Sequence, residues 1–477
     1  MKELSGLDAS FLYLEIPKIP IHIGGVAIVR GVFKFDNFQQ YVSERICNFE
    51  KCTQNLFAVS LNLDRSSWIE ELGISMHRNA LTLLGGWERL CNLVSRLLPR
   101  QLKRDFPLWE FIFVEGLNPF LHMLKGLVAL TTKVHHPEFD GKSGADSMSM
   151  SIDPSLTPRL PNLVVAKEMQ EMLGPVELMA KSAWHFITRI TKLLVLLWNM
   201  GKAIVKAGYI TQVQGMKMST TPSYSPKTRS NEAVEIELVL NLTILDIYRI
   251  NALRKVVGGA PLNNVILAIS TEVLKRYFME KGELSDKPLV AMMPESTRTA
   301  EEKNAMGNQV CAIYVQLAND VEGSIKQLDK IQINTALDKL YQDAIDVKNL
   351  IRYAELIKFG LAGVAARFYC SATIAKYYNN LSNVLITNVL GPKTPLYLTG
   401  HKGIIDMGIA PIFDSLCLNI STCSYDGTLS ISPTSSTNLM PDLDTFTRYI
   451  RESANELERA IQEKLAGQAA IDVLMKS

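Results

Sequence analysis

At 477 residues the chain exceeds the size at which a single hydrophobic core stops growing, so two domains with a cleft between them are expected. An apolar fraction of 47% with 21% charged residues excludes a disordered or fibrous chain. The formal net charge of +2 gives no reason to expect nucleic acid or an acidic macromolecule as a partner.

The first eight residues are acidic rather than apolar, so they do not read as a secretory signal. Two β-branched runs flanked by turn residues, 24–30 and 126–134, predict strands, and the spacing of apolar residues predicts helices over 38–49 and 87–98. From Leu178 to Asn231 there is no acidic residue at all, while Lys181, Arg189, Lys192, Lys202, Lys206, Lys217, Lys227 and Arg229 occur. The first half of that stretch carries Trp184, Trp198 and a helical apolar pattern; the second is rich in Ser, Thr and Pro. A domain boundary falls there, which divides the chain into 1–177, a basic amphipathic helix and linker over 178–231, and 232–477.

Beyond the linker, Glu235 to Leu238 alternates as a half-buried strand. Asn263 or Asn264 is placed to cap a helix that runs through Val265, Ile269 and Leu274. Strands are expected at 289–293, 310–317, 384–387 and 416–422, with helices near 325–344, 350–368 and 443–465. Both parts are mixed α and β. Seven cysteines (Cys47, Cys52, Cys91, Cys311, Cys370, Cys417, Cys423), odd in number and without a Cys-x-x-Cys pair, read as free thiols in a reducing compartment. No window of the length a spanning helix needs is free of charge, so the expectation is a cytoplasmic protein. Its contact with lipid would be peripheral, on the inner membrane surface or on lipid droplets.

The run His135-His136-Pro137-Glu138-Phe139-Asp140-Gly141 follows the second predicted strand directly. On an extended segment the two histidines project to opposite sides, so one imidazole can face reacting atoms and the other is structural. Histidine suits a general base because its ordinary pKa, about 6.5, leaves it largely neutral at cellular pH. Asp140 and Gly141 fit a turn that folds back on the strand end, with Asp140 accepting backbone amides or pairing with an arginine. Such a pair also occurs as a structural feature of loops and cores. Metal ligation is poorly matched, because Glu138, Asp140 and Asp146 complete no familiar ligand spacing. We therefore expect no metal.

With these residues the sequence resembles the bacterial wax ester synthase/diacylglycerol acyltransferase family, whose hallmark is His-His-x-x-x-Asp-Gly. The resemblance runs in order along the chain: Leu4 to Glu15, Ile21-His22-Ile23-Gly24-Gly25, Pro107-Leu108-Trp109-Glu110, Glu115-Gly116-Leu117, Pro261-Leu262-Asn263-Asn264-Val265, Met293 to Arg298, Gly307-Asn308-Gln309-Val310, Thr387 to Pro392, and Ser424-Tyr425-Asp426-Gly427. It implies two chloramphenicol acetyltransferase-like α/β domains with the active-site channel between them.

It also implies transfer of a long-chain acyl group from acyl-CoA, as substrate and without a resident cofactor, to a fatty alcohol or to diacylglycerol. His136 would be the base, with His135, Asp140 and Gly141 supporting it. Asn263 would lie near the site. Arg298 stands where the family carries an arginine, and its pairing with Asp140 is our own hypothesis. Asn264 stands where the family usually has Asp, and Pro137-Glu138 replace smaller or apolar residues. A non-catalytic acyl-lipid-binding protein of the same fold is the alternative.

Two basic features have two readings each. The 178–231 segment suits an anionic lipid surface or a helix packed on the protein with a solvated face. The cluster Arg96, Arg100, Lys103 and Arg104 suits coenzyme A phosphates or simple solvation.

Overall fold

The computed structural model describes residues 2–46, 50–57, 67–70, 80–118, 126–137, 152–157, 225–296, 310–345 and 381–474, with a few single positions between 158 and 224. In chain order the first part gives β1 (Lys2–Glu3), α1 (Gly6–Leu14), β2 (His22–Arg30), α2 (Phe35–Ile46), β3 (Gln54–Phe57), β4 (Ser67–Glu70), β5 (Ala80–Gly85), α3 (Trp87–Leu97), β6 (Trp109–Leu117) and β7 (Leu127–His135). Ser5 starts α1, its Oγ accepting the Asp8 amide at 3.0 Å. The expected strands and helices of this part are present. Neither α1 nor β6 was anticipated as an element, although both carry motif residues.

The second part gives β8 (Leu238–Leu240), β9 (Thr243–Asp246), α4 (Ile247–Val256), α5 (Leu262–Glu280), β10 (Val290–Ser296), β11 (Val310–Gln316), α6 (Ser324–Ile345), β12 (Val384–Leu390), β13 (Tyr397–Leu398), β14 (His401–Ile409), β15 (Leu418–Tyr425), β16 (Thr428–Ser436) and α7 (Leu443–Leu474). Two expectations need correction. Glu235 to Leu238 is not a strand; pairing with β16 begins only at Leu238, opposite Ser436. Asn263 and Asn264 do not cap α5, because Pro261 is the N-cap, with φ −55° and ψ 145°. Proline has no N–H to lose at a helix start and its fixed φ leads the chain in, so the asparagines fall inside the first turn. The helix expected near 350–368 lies outside the described residues.

Two large sheets result. One runs β13-β14-β2-β7-β6-β5, the other β11-β10-β12-β15-β16-β8, with β9 also on β16. A small sheet β1-β4-β3 stands apart. The sheets are not built from two contiguous halves, since β14 pairs with β2 from Gly403 to Ile409 although it follows β12 of the other sheet. That crossover joins the two halves of the molecule.

Alternation then decides what each face of the first sheet buries. Val26 and Ile28 pack with Leu90, Val94 and Leu98 around α3, whereas Val29 packs with Phe38, Tyr41 and Val42 of α2. In the second sheet Leu418, Ile420, Leu429 and Ile431 pack with α5, α6 and α7 in the largest core, through residues such as Leu267, Tyr277, Ile331 and Phe446.

Candidate active site

β7 ends at His135, which lies directly opposite His22 at the start of β2. The nine-residue ladder between the two strands fixes that register, so every side chain at the sheet end has a determined face. His22 points toward α3, its Nδ1–H donating to Leu98 O at 3.1 Å. His135 shares that side, its ring 5.4 Å from the His22 ring at 82°. His136, one residue on, lies in the turn that follows β7. The chain stays pinned there, since the His136 N–H donates to Ile21 O at 3.0 Å and the His135 N–H to Leu108 O at 2.9 Å.

The His136 imidazole lies on the phenyl ring of Phe11 from α1, centroids 4.0 Å apart and planes 19° apart. One helical turn later α1 ends at Glu15, whose buried carboxylate lies 3.3 Å from His135 Nε2 and 3.8 Å from His22 Nε2. From the outside Arg104 Nη2 donates to it at 2.7 Å. Burial pushes the Glu15 carboxyl up, but His135 and Arg104 outweigh it and hold the pKa at about 2. The His135 N–H is not aimed at the oxygen, so that contact is electrostatic rather than a directed hydrogen bond. His22 is held neutral: burial above all, with the Lys133 ammonium, lowers its pKa to about 3. α1 thus addresses both histidines, an aromatic ring to His136 and a carboxylate to His135.

The nitrogen and oxygen atoms of Glu15, His22 and His135 lie within 4.8 Å of one another, the one such group among the described residues. A divalent cation would find three ligands of two accepted types there, two imidazoles and a carboxylate. Yet the single carboxylate already has Arg104 beside it, and the buried Lys133 ammonium sits close by on Leu97 O and Glu110. Adding two more positive charges to that balance is unfavourable, and holding the histidines in place is the use the geometry supports.

In the second part Asn263 Oδ1 accepts from Asn388 Nδ2 at 2.6 Å, and Asn388 Oδ1 accepts from Thr422 Oγ1 at 3.0 Å. The chain ties the first turn of α5 to β12 and β15. Asn264 is buried, and its Oδ1 has no donor among the described residues. Glu138, Asp140, Gly141 and Arg298 lie outside the described residues. Of the sequence-derived residues, the structure therefore brings together His135 and His136 at one strand end and places Asn263 in a separate polar chain.

Sequence reasoning assigned no role to Phe11, Glu15 or His22, and it offered Arg104 as a phosphate ligand or a solvated charge. Arg104 instead pairs with Glu15. The signal was present in Phe11-Leu12-Tyr13-Leu14-Glu15, where an aromatic residue and a carboxylate recur at one helical turn. Cys52, Cys91, Cys311, Cys417 and Cys423 are free thiols, as expected; Cys47 and Cys370 lie outside the described residues. Among the described residues no helix is long and apolar enough to cross a membrane.

Two mixed sheets joined by a crossover strand, with a histidine pair at a strand end, define a protein of the chloramphenicol acetyltransferase-like fold. Solved structures agree. The wax ester synthase/diacylglycerol acyltransferase of Marinobacter aquaeolei superposes with a TM-score of 0.65 at 21% identity, covering 97% of this chain and 100% of its own. The first condensation domain of the calcium-dependent antibiotic synthetase gives 0.57 at 13% identity, covering 97% and 98%. At such identities both speak to fold alone.

Residues 4–266 match the model of the wax ester synthase/diacylglycerol acyltransferase catalytic domain, and residues 306–458 that of the WS/DGAT C-terminal domain. The chain belongs to this family and is an acyltransferase. Proteins named as diacylglycerol O-acyltransferases are similar over their whole length. One from Mycobacterium tuberculosis is 27% identical over 483 residues, covering 96% of this chain and 100% of its own. One from Mycobacterium bovis is 26% identical over 482 residues, covering 95% and 98%.

Proposed function

We propose that this chain transfers a long-chain acyl group from acyl-CoA to a fatty alcohol or to diacylglycerol, with His136 as general base and no resident cofactor. The observation that carries the reading is the His136 ring, fixed on both sides: its backbone by the Ile21 carbonyl and its face by Phe11.

A thioester is already activated, so the protein needs only to take the acceptor's proton and steady the oxyanion. The acceptor O–H gives its proton to His136 as its oxygen attacks the thioester carbonyl. The tetrahedral intermediate then collapses, the C–S bond breaks, and the leaving thiolate takes the proton back from the imidazolium. Ester and free coenzyme A result. Asp140 and Gly141 orient the base, a role that rests on the family resemblance, and Arg298 is proposed as the partner of Asp140.

Incubation of the purified chain with radiolabelled palmitoyl-CoA and hexadecanol or dioleoylglycerol tests this directly. Ester product is expected, together with its loss in a His136→Ala variant of unchanged circular dichroism. Ester formation surviving in that variant removes His136 as the base. Binding of acyl-CoA without product from either acceptor points to the non-catalytic alternative.

Access to dissolved lipid is assigned to the basic segment between the halves. Trp184 and Trp198 are 66% and 69% exposed, and the Lys202 ammonium lies 5.5 Å from the Trp198 ring. Exposed tryptophan beside lysine suits an anionic membrane or lipid-droplet surface. Flotation with anionic liposomes should carry the protein upward, and a variant with Trp184 and Trp198 both replaced by alanine should stay behind. No flotation of the wild type counts against the segment as a lipid anchor.

A further inference from the structure

A small, partly open cavity of about 40 Å³ lies against β2 and β14 of the first sheet and Tyr425 of β15 in the second. Its wall is largely aliphatic, with Ala27, Val29, Ile152, Leu396 and Leu398 contributing. Two polar side chains reach it. Tyr425 is already engaged, its oxygen accepting the Leu396 amide at 2.9 Å and its hydroxyl lying 3.2 Å from Gly403 O.

Asp406 is the other. Ile405 and Met407 on either side of it turn into the core around α3, so Asp406 faces the opposite way. Its cross-strand neighbour is Ala27, a side chain too small to cover the carboxyl. Its one side-chain partner among the described residues is the Cys423 thiol, 3.4 Å from Oδ2. Desolvation pushes its pKa up. A carboxyl group has room for several hydrogen bonds, and one thiol satisfies little of that capacity.

The position along the sheet matters. Ala27 is five residues from His22, roughly 17 Å at the usual strand rise. His22 turns toward α3 and Ala27 away from it, so Asp406 lies on the face of the sheet opposite His22. A long acyl or alkyl chain whose reacting end is at His136 has the reach to arrive there. The oxygens next to the reacting carbon do not.

We propose that this cavity holds the distal part of a long-chain substrate and that Asp406 recognises an oxygen function, a hydroxyl or keto group, carried far down that chain. The proposal rests on the acyl-transfer reading for the identity of the lipid, and the test separates the two. An oxygen-bearing chain here would hydrogen-bond to the carboxyl while its methylenes lie on the aliphatic wall, whereas a plain chain leaves the carboxyl without its bond.

Equilibrium dialysis of the full chain measures this without turnover. One arm compares 16-hydroxypalmitoyl-CoA with palmitoyl-CoA, so that the oxygen sits on the donor. The other compares hexadecane-1,16-diol with hexadecanol, so that it sits on the acceptor. In one of the arms the oxygenated ligand should bind about tenfold more tightly. Asp406→Leu should erase that preference, and Asp406→Asn, which keeps donor and acceptor, should retain part of it. Ala27→Phe, filling the cavity from β2, should weaken the sixteen-carbon ligands while octanoyl-CoA binds as before.

Equal binding in both arms, or an Asp406→Leu protein that keeps the preference, overturns the proposal. Ester assays on the same samples report on the acyl-transfer reading separately. Product without an oxygen preference leaves that reading standing and sinks this one, and a preference without product does the reverse.

Discussion

The phenyl ring of Phe11 lies flat on the imidazole of His136, centroids 4.0 Å apart. Glu15, where the same helix ends, meets His135. One short helix therefore sets the orientation of both rings of the pair, and its two prongs separate into two kinds of consequence.

The aromatic prong predicts a kinetic effect. A stacked ring pair contributes about 1 kcal/mol beyond its buried area. Phe11→Leu keeps most of the apolar contact and removes the stack, so kcat should fall roughly fivefold with KM for acyl-CoA nearly unchanged. Steady-state kinetics with hexadecanol as acceptor check this. An unchanged kcat means the stack does not position the base.

The carboxylate prong predicts a pH dependence with two windows. Both groups have depressed folded-state pKa values, so both contribute stability that is complete above the unfolded value and is lost as pH falls. For His22 the loss runs from about 6.5 down toward about 3; for Glu15 it runs from 4.5 toward about 2. The Glu15 contribution is on the order of 3 kcal/mol. In urea titrations His22→Gln should flatten the slope of stability against pH between 6.5 and 4.5, and Glu15→Gln should flatten it below 4.5. Variants that track the wild type in both windows would show that the cluster does not control acid stability.

The exit of the linker predicts a large stability effect. Asn383 is fully buried, its Nδ2 donating to Pro226 O at 2.6 Å and Asn231 Oδ1 at 2.9 Å, and its Oδ1 accepting the Val290 amide at 3.0 Å. Asn383→Ala leaves several buried groups without partners, at about 3 kcal/mol or more. A urea midpoint unchanged from wild type would contradict this.

The end of β12 predicts a steric effect. A Cβ on Gly391 would stand 2.3 Å from Ser424 O, so the backbone of β15 must move to admit any side chain. Gly391→Ala should lower the melting temperature by several degrees and weaken acyl-CoA binding, because Pro392 next to it lines the cavity at Asp406. Wild-type melting and binding together would show that β12 and β15 are less tightly set than their ladder implies.

Much of the fold was legible because its signals are local. Short β-branched runs flanked by turn residues gave β2 and β7, and the spacing of Leu90, Val94 and Leu98 gave α3. β14 was not, since a nine-residue stretch carrying Gly403, Asp406 and Gly408 shows no clean alternation, and its strand state comes from pairing with β2. The α5 cap was misjudged because asparagine and proline are both good helix starters and stand only two residues apart, at Pro261 and Asn263.

By itself the sequence determined the mixed α/β class, the histidine pair after a strand, and the ordered motifs that identify the family. Those depend on residue type and spacing along the chain. Only the tertiary structure decided that Phe11 covers His136, that Glu15, His22 and Arg104 surround His135, and that Asp406 looks into a cavity between the sheets. These contacts join residues tens to hundreds of positions apart, and their partners are chosen by strand register and by the crossover of β14. No local pattern encodes either.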